Sequence, residues 1–431
     1  MKKDHILFLT HYFPPEVNAP ASRTYEHARE WVREVEVTVV TNVPNHPDGK
    51  VFPGYKNRLI QKEVIDGINV VRLWTFVTPN EGFLLRSLNY VVYMLAAIIY
   101  VLISGIRFEA IIATTPQFFC ALAGKIIARL TRKPFILELR DLWPESIIAV
   151  GALENKTIIR LLNHIELGLY HSADRIISVT KSFKDNLVSR GVEPGKIDII
   201  FNGVSPENFT NGREIKDESI REFMSEGFLV GYIGTIGMAH SIKTIIEAAE
   251  RLKDRPIKFV IVGSGAEREK LEKLIKEKAL LNVRIFPLQA KPEIASIIKR
   301  LDVFCVHLKN DPLFKTVIPS KIFEGMIMKK PILIGVNGEA RTIIENANGG
   351  VYFEPENPLD LAEKVCHYFS CEDERKLHGE NGFRFVLEKF NRKVLAAEYL
   401  KIIKNLIPES PLPETGLKNI KVKKAVLDIK K

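Results

Sequence analysis

Cysteine is scarce in this chain. Only Cys120, Cys305, Cys366 and Cys371 occur in 431 residues, and no two stand at C-x-x-C spacing. Cys120 and Cys305 lie in apolar runs, which suits core thiols in a reducing compartment and excludes a disulfide framework. No aspartates are paired at D-x-D spacing, and no His/Cys set stands out, so no metal centre is expected. There is no long Lys/Arg block, zinc-finger spacing or RNA-recognition signature. The net charge of +10 and pI of about 9.2 therefore point to nucleotide phosphates or an anionic membrane surface, not to nucleic acid. Residues 1–9 form a strand pattern without a long apolar core, so no signal peptide is expected. The first strand is not followed by a glycine-rich turn, which excludes a dinucleotide fingerprint there.

What is present is a repeated alternation of short apolar runs with helix-length amphipathic segments, the pattern of parallel sheets with crossover helices. The first set of expected strands is His5–Thr10, Glu36–Thr41, Ile111–Thr115, Phe135–Leu139, Arg175–Val179 and Lys196–Ile200. The pattern restarts with Leu229–Ile233, Lys258–Val262, Asn282–Phe286, Val303–His307, Ile332–Ile334 and Gly350–Phe353. Two doubly wound domains follow, with ligands expected at the carboxyl ends of their strands. The expected division is 1–204 and 205–380, with Asn202-Gly203-Val204 at the boundary. Residues 205–226 read as a polar linker, 381–406 as helices, and 407–431 as a Lys-rich tail, either mobile or lying on an anionic surface.

Residues Ser87–Ile106 carry no charge and would reach about 30 Å as a helix, enough to span a bilayer. A crossover helix is due at that place, and a spanning helix would part the strands on either side of it. Two readings remain: a buried helix, or one whose outer face dips into an anionic membrane surface, with Tyr90, Tyr93 and Tyr100 at the interface.

The segment Pro319-Ser320-Lys321-Ile322-Phe323-Glu324-Gly325-Met326 reads as a loop entering a helix, with Pro319 at the first helical position. Ser320, Lys321 and Ile322 would lie where free N–H groups favour an anion, and Glu324 one turn on could take a sugar diol. Gly234-Thr235-Ile236-Gly237 and Gly263-Ser264-Gly265 each follow a strand and allow close approach of a ligand to the backbone. Leu288, in Phe286-Pro287-Leu288-Gln289, sits where backbone groups would meet a base edge. Asp141 ends a central strand; the simpler reading is an N-cap paired with Arg140. Glu339 opens a helix facing the cleft, either as a cap or as a contact to sugar hydroxyls.

In order and spacing these segments resemble glycosyltransferase family 4. The features are the two Rossmann-like halves, the His11–Arg23 loop, the stretch Glu138–Glu145, the Asn-Gly-Val boundary and Ile318–Met326. Phe13–Ala28 and Thr41–Tyr55 are similar to the bacterial O-antigen, capsule and colanic-acid enzymes, the N-acetyl-L-fucosamine transferases among them. The resemblance extends to about residue 406. It implies a GT-B fold, retention of configuration, no metal or other cofactor, a UDP-sugar donor (GDP as runner-up) and a lipid-linked saccharide acceptor. It also implies work on the inner face of the cell membrane. By the same resemblance, 1–204 is the acceptor domain, 205–380 is the nucleotide-sugar domain, and the helices of 381–406 pack back on the first. Glu324 matches the second Glu of the family's Glu–seven residues–Glu motif; Thr316 stands where the first would be. The family's Arg/Lys pair after the glycine turn is replaced by Met238-Ala239-His240-Ser241. Lys321, with help from Arg23, is the expected substitute on the diphosphate. Asp141, Glu16 and Lys321 are the expected catalytic residues. Trp143 and Glu145 would shape the acceptor site, and His11 would be structural. The rivals are a GT-B epimerase acting on UDP-N-acetylhexosamine, and a membrane scaffold that kept the fold.

Overall fold

The computed structural model describes residues 3–16, 18–46, 49–77, 83–149, 153–210 and 212–408. The first half supplies β1 (His5–Leu9), β2 (Glu36–Asn42), β3 (Ile60–Ile65), β4 (Ile68–Leu73), β5 (Ala110–Thr114), β6 (Phe135–Leu139), β7 (Arg175–Ser178) and β8 (Ile197–Ile199). Its helices are α1 (Ala19–Trp31), α2 (Phe83–Ile103), α3 (Phe118–Thr131), α4 (Glu145–Ala149), α5 (Lys156–Ser172) and α6 (Lys181–Ser189). The strands form one sheet in the order β3-β4-β2-β1-β5-β6-β7-β8, parallel except for the β3–β4 hairpin. Helices cover both faces, so β1, β5 and β6 are apolar along nearly their whole length.

The second half begins with α7 (Glu207–Thr210) and α8 (Glu218–Phe223). Then come β9 (Phe228–Ile233), α9 (Lys243–Arg251), β10 (Ile257–Val262), α10 (Arg268–Glu277), β11 (Val283–Phe286), α11 (Lys291–Arg300) and β12 (Val303–His307). It continues with α12 (Lys321–Ile327), β13 (Ile332–Gly335), α13 (Glu339–Ala347), β14 (Gly350–Tyr352), α14 (Pro358–Ser370), α15 (Glu372–Lys389) and α16 (Arg392–Leu406). These strands are all parallel, in the order β11-β10-β9-β12-β13-β14. The order reverses between β9 and β12, which opens a crevice at their carboxyl ends. In the first sheet the same reversal lies between β1 and β5. The architecture is the GT-B type, with two Rossmann-like halves.

Three expectations are corrected. The β3–β4 hairpin was not among the expected strands; its turn, Asp66-Gly67, has both φ angles positive at 48° and 83°. Residues 205–226 are not a free linker, because Ile215, Ile220 and Met224 are buried in the core of the second half. In α2, Tyr93 and Tyr100 face inward, and the Tyr93 hydroxyl donates to the carbonyls of Thr10 and Val40. The outer face of α2 is aliphatic instead: Leu88, Leu95, Ile99, Leu102 and Ile103. No helix among the described residues is long and apolar enough to cross a membrane. The Lys-rich tail beyond Pro408 lies outside the described residues.

The last helix, α16, packs on α1 of the first half. Trp31 Nε1 donates to Ala396 O at 2.8 Å, and Lys404 meets Glu34. The chain thus crosses between the halves twice, near residues 200–205 and again near 390–392. The two crossings pair with each other: Val204 N donates to Phe390 O, and Arg392 N to Val204 O.

Candidate functional site

The second crevice is lined by the turn after β9, the turn after β10 and the start of α12. Sequence reasoning assigned the glycines of both turns to a ligand. In the structure, Gly263 and Gly265 serve the protein itself. A Cβ on Gly263 would fall 1.9 Å from Gly234 O, and one on Gly265 2.3 Å from Ile236 O. The turns lock together by Gly234 N to Val262 O, Ile236 N to Ser264 O and Glu267 N to Ile236 O. Gly234 differs, because a Cβ there would lie 2.5 Å from Lys321 Cε. Its lack of a side chain makes room for that lysine. Thr235 and Ser264 are exposed, Gly237 opens a short 3-10 turn over Met238–His240, and Leu288 is exposed beyond β11.

Pro319 is not the first helical residue. Ser320 is the N-cap and its side chain makes no capping bond, while Pro319 O accepts from Ile322 N. Lys321 is the first residue of α12. Its ammonium lies 4.0 Å from the centre of the Tyr232 ring and donates to the Tyr232 hydroxyl. Burial lowers the Lys321 pKa to about 7, although Glu324 and Cys305 pull it upward. Glu324 stands three residues on and acts electrostatically on both Lys321 and Arg392. Thr316 is spent on closing its own turn, with its hydroxyl bonded to Leu313 O.

The structure adds His240. Burial, with Lys321 as the next cause, lowers its pKa to about 3, and its ring centroid lies 6.4 Å from that of Tyr232. Its Nδ1 is buried without a partner among the described residues. A neutral imidazole therefore sits beside the buried ammonium. The signal was in the sequence, since His240 occupies the stretch where a basic pair was sought. His307, by contrast, is structural: Nδ1 meets His240 O and Nε2 accepts from Glu356 N.

In the first crevice, Asp141 follows β6 but is not paired with Arg140. The Arg140 guanidinium turns to Glu138 and to the carbonyls of Ala19 and Pro20. Burial raises the Asp141 pKa to about 6, against bonds from Ser146 and the Leu142 backbone. Glu16 is buried, and both of its oxygens are bonded. One oxygen accepts from Phe13 N and the other from Asn45 N and His46 N, so it ties the loops after β1 and β2 together. Burial still raises its pKa to about 7. That placement gives Glu16 a structural role in holding the two loops. Arg23 is structural too. It is 1% exposed, pairs with Glu138 at 3.2 Å, and donates to Ile200 O, Phe201 O and Asn202 Oδ1. It holds the first crossing, not a phosphate. Trp143 stacks on Phe118, and Glu145 pairs with Arg190, so both brace the fold. His11 is buried beside Asn42, with its pKa lowered to about 3 by burial.

Glu339, which is half-buried, does not cap its own helix. Its carboxylate accepts from Lys181 N, Ser182 N and Ser182 Oγ at the start of α6, in the other half.

One group with metal-ligand chemistry was not read from the sequence. Ligand atoms of His367, Cys371 and Glu374 lie within 4.8 Å of one another where α14 meets α15. The His367 ring stands between the other two, with Nδ1 3.9 Å from Sγ and Nε2 2.8 Å from Glu374 Oε2. The 2.8 Å contact joins an exposed imidazole to a partly exposed carboxylate at the surface.

Comparison with known proteins decides the class. Residues 18–203 match the glycosyl transferase 4-like domain, and residues 214–385 match glycosyl transferases group 1. The chain is built of two glycosyltransferase domains. WcaI of Escherichia coli, named for colanic acid biosynthesis, is 24% identical over 320 residues, 72% of this chain and 78% of that protein. The capsular polysaccharide biosynthesis glycosyltransferase CapM of Staphylococcus aureus is 21% identical over 304 residues, 69% of this chain and 76% of CapM. Among solved structures, Anabaena HepE in complex with UDP and glucose superposes with a TM-score of 0.71 at 15% identity. That match covers 94% of this glycosyltransferase and all of HepE. The lipopolysaccharide glycosyltransferase WaaG gives 0.66 at 14% identity, over 94% of this chain and all of WaaG.

Proposed function

We propose that this glycosyltransferase moves a sugar, with retention of configuration, from a UDP-sugar to a lipid-linked saccharide in surface polysaccharide assembly. The observation that carries the donor reading is Lys321 beside Glu324 at the reversal point of the second sheet. Lys321 would meet the diphosphate, whose charge grows as the sugar leaves, so its effect falls mainly on the rate. His240 would stand next to it, and Glu324 would accept from the ribose hydroxyls. Asp141 would orient or deprotonate the acceptor hydroxyl. With Lys321 and the local backbone dipoles meeting the diphosphate charge, the reading needs no metal. N-acetyl-L-fucosamine or a related deoxy sugar is the donor sugar suggested by the resemblance, and UDP is preferred because HepE was solved with it.

We place the enzyme on the inner face of the membrane. The aliphatic face of α2 is continued by Ile60 and Val64 on β3, where Lys62 lies 6.0 Å from the Tyr100 ring. Exposed Leu130 sits between exposed Arg129 and Arg132 near the end of α3. Apolar side chains edged by cations suit an anionic bilayer surface.

Calorimetry against a panel of UDP- and GDP-sugars tests the donor. Glu324→Ala should weaken UDP at least about tenfold with the fold intact, the scale of losing a charge-assisted hydrogen bond. Unchanged affinity would remove Glu324 from the site. Release of free sugar and UDP without acceptor would favour an epimerase instead.

A further inference from the structure

The first turn of α6 leaves backbone donors that its own half satisfies only in part. Thr180 Oγ1 accepts from Phe183 N, and Thr180 O accepts from Lys184 N. The two donors before them, Lys181 N and Ser182 N, are taken by Glu339 of the other half at 3.0 and 2.9 Å. Ser182 Oγ adds a third bond at 2.9 Å. A carboxylate at a helix N-terminus is also favoured by the helix dipole.

A second contact lies beside this clasp. The 3-10 turn Pro312–Thr316 carries Leu313, and Val317 follows it; both pack on the core of the first half together with Trp143. Val317 also touches the core of the second half. This turn leads directly into Lys321 and Glu324, while Trp143 lies two residues beyond Asp141. This contact between the halves is thus made by the segments that carry the proposed donor and acceptor groups.

We infer that Glu339 is a positioning residue. By capping α6 it fixes how the two halves meet, and so the register of the Lys321 segment against the Asp141 loop. The inference rests on the transferase reading given above. It requires no contact between Glu339 and the donor.

The test uses the full chain with Glu339→Gln and Ser182→Ala, singly and together. Glu339→Gln should lower kcat by about tenfold or more, the scale of a charge-assisted bond, and leave UDP affinity within about twofold. Small-angle scattering should show a more open particle, and the Lys181 and Ser182 amides should exchange faster with solvent. Ser182→Ala should act in the same direction more weakly and add little in the Glu339→Gln background, because each side chain works through the other. Unchanged kcat and scattering in Glu339→Gln would overturn the inference. So would a fall in UDP affinity with unchanged scattering, which would put Glu339 on the donor. Should the wild-type protein bind no UDP compound, the transferase reading fails; the scattering and exchange of the variants still judge the clasp.

Discussion

Lys321 holds its ammonium over the Tyr232 ring, and burial there brings its pKa from 10.5 to about 7. Between those values the unfolded chain binds the proton and the native state does not, so this residue makes stability rise with pH from about 7 to 10.5. Its affinity for an anion runs the other way, because the charged form is lost above pH 7. UDP binding at mildly alkaline pH should therefore take up a proton. Calorimetry in buffers of different ionisation enthalpy measures this, and Lys321→Met should abolish it. Asp141, shifted from 3.8 to about 6, is ionised only above that value, and its contribution to stability is lost as pH rises through the same window. As a base it must be charged, so kcat/KM should follow a narrow bell with limbs near the two pKa values. Asp141→Asn should remove the acid limb and cost roughly 10²-fold in rate, with donor affinity nearly intact. If donor affinity collapses while turnover stays normal, Asp141 belongs to the donor site.

At the scale of the element, α2 shows how one helix can serve a core and a surface. Tyr93 is fully buried, while Leu95 and Ile99 are 50% and 57% exposed. Replacing Leu95 and Ile99 with Glu should release the protein from anionic vesicles in co-sedimentation without unfolding it. Tyr93→Glu should unfold it, since a buried carboxylate would replace a hydroxyl bonded to two carbonyls. If the intact protein ignores anionic vesicles at low salt, the membrane reading fails. The β3–β4 hairpin is an element the sequence announced but pattern-reading passed over. Asp66-Gly67 between apolar runs is a strong two-residue turn signal. The edge strand β3 alternates exposed and half-buried residues and lacks the continuous apolar run that marked the other strands, although its partner β4 is largely buried.

At the scale of the whole molecule, the halves are joined by a buried ionic group at their two crossings. Arg23 holds residues 200–202, and Glu26 holds Ser205, Asn208 and Arg392. Arg392 in turn donates to Gly203 O. Gly203 has no room for a side chain, since a Cβ would sit 2.4 Å from Phe390 O. Removing one partner of a buried pair leaves the other uncompensated. Arg23→Met should thus cost about 3–5 kcal/mol in chemical denaturation, far more than a surface arginine. A loss near zero would mean that water or a neighbouring arginine takes over its partner, Glu138.

The sequence by itself determined two sheets of mainly parallel strands, every strand of them except β3 and β4, and the crevices at their ends. Those depend on the period of apolar residues, which is local. It also located Lys321, Glu324 and Asp141 beside strand ends or helix starts, because the pattern marks those positions. Only the tertiary structure decided what the other polar residues do. Glu16, Arg23 and Glu339 lie in the right loops, yet each is consumed by partners from 29 to 179 residues away. The glycines of the second turn are required by a neighbouring turn, and His240 feels the charge of Lys321, far along the chain. A carboxylate or guanidinium takes whichever partners the folded chain brings within 3 Å or so, and those partners have no signature in the residues around it.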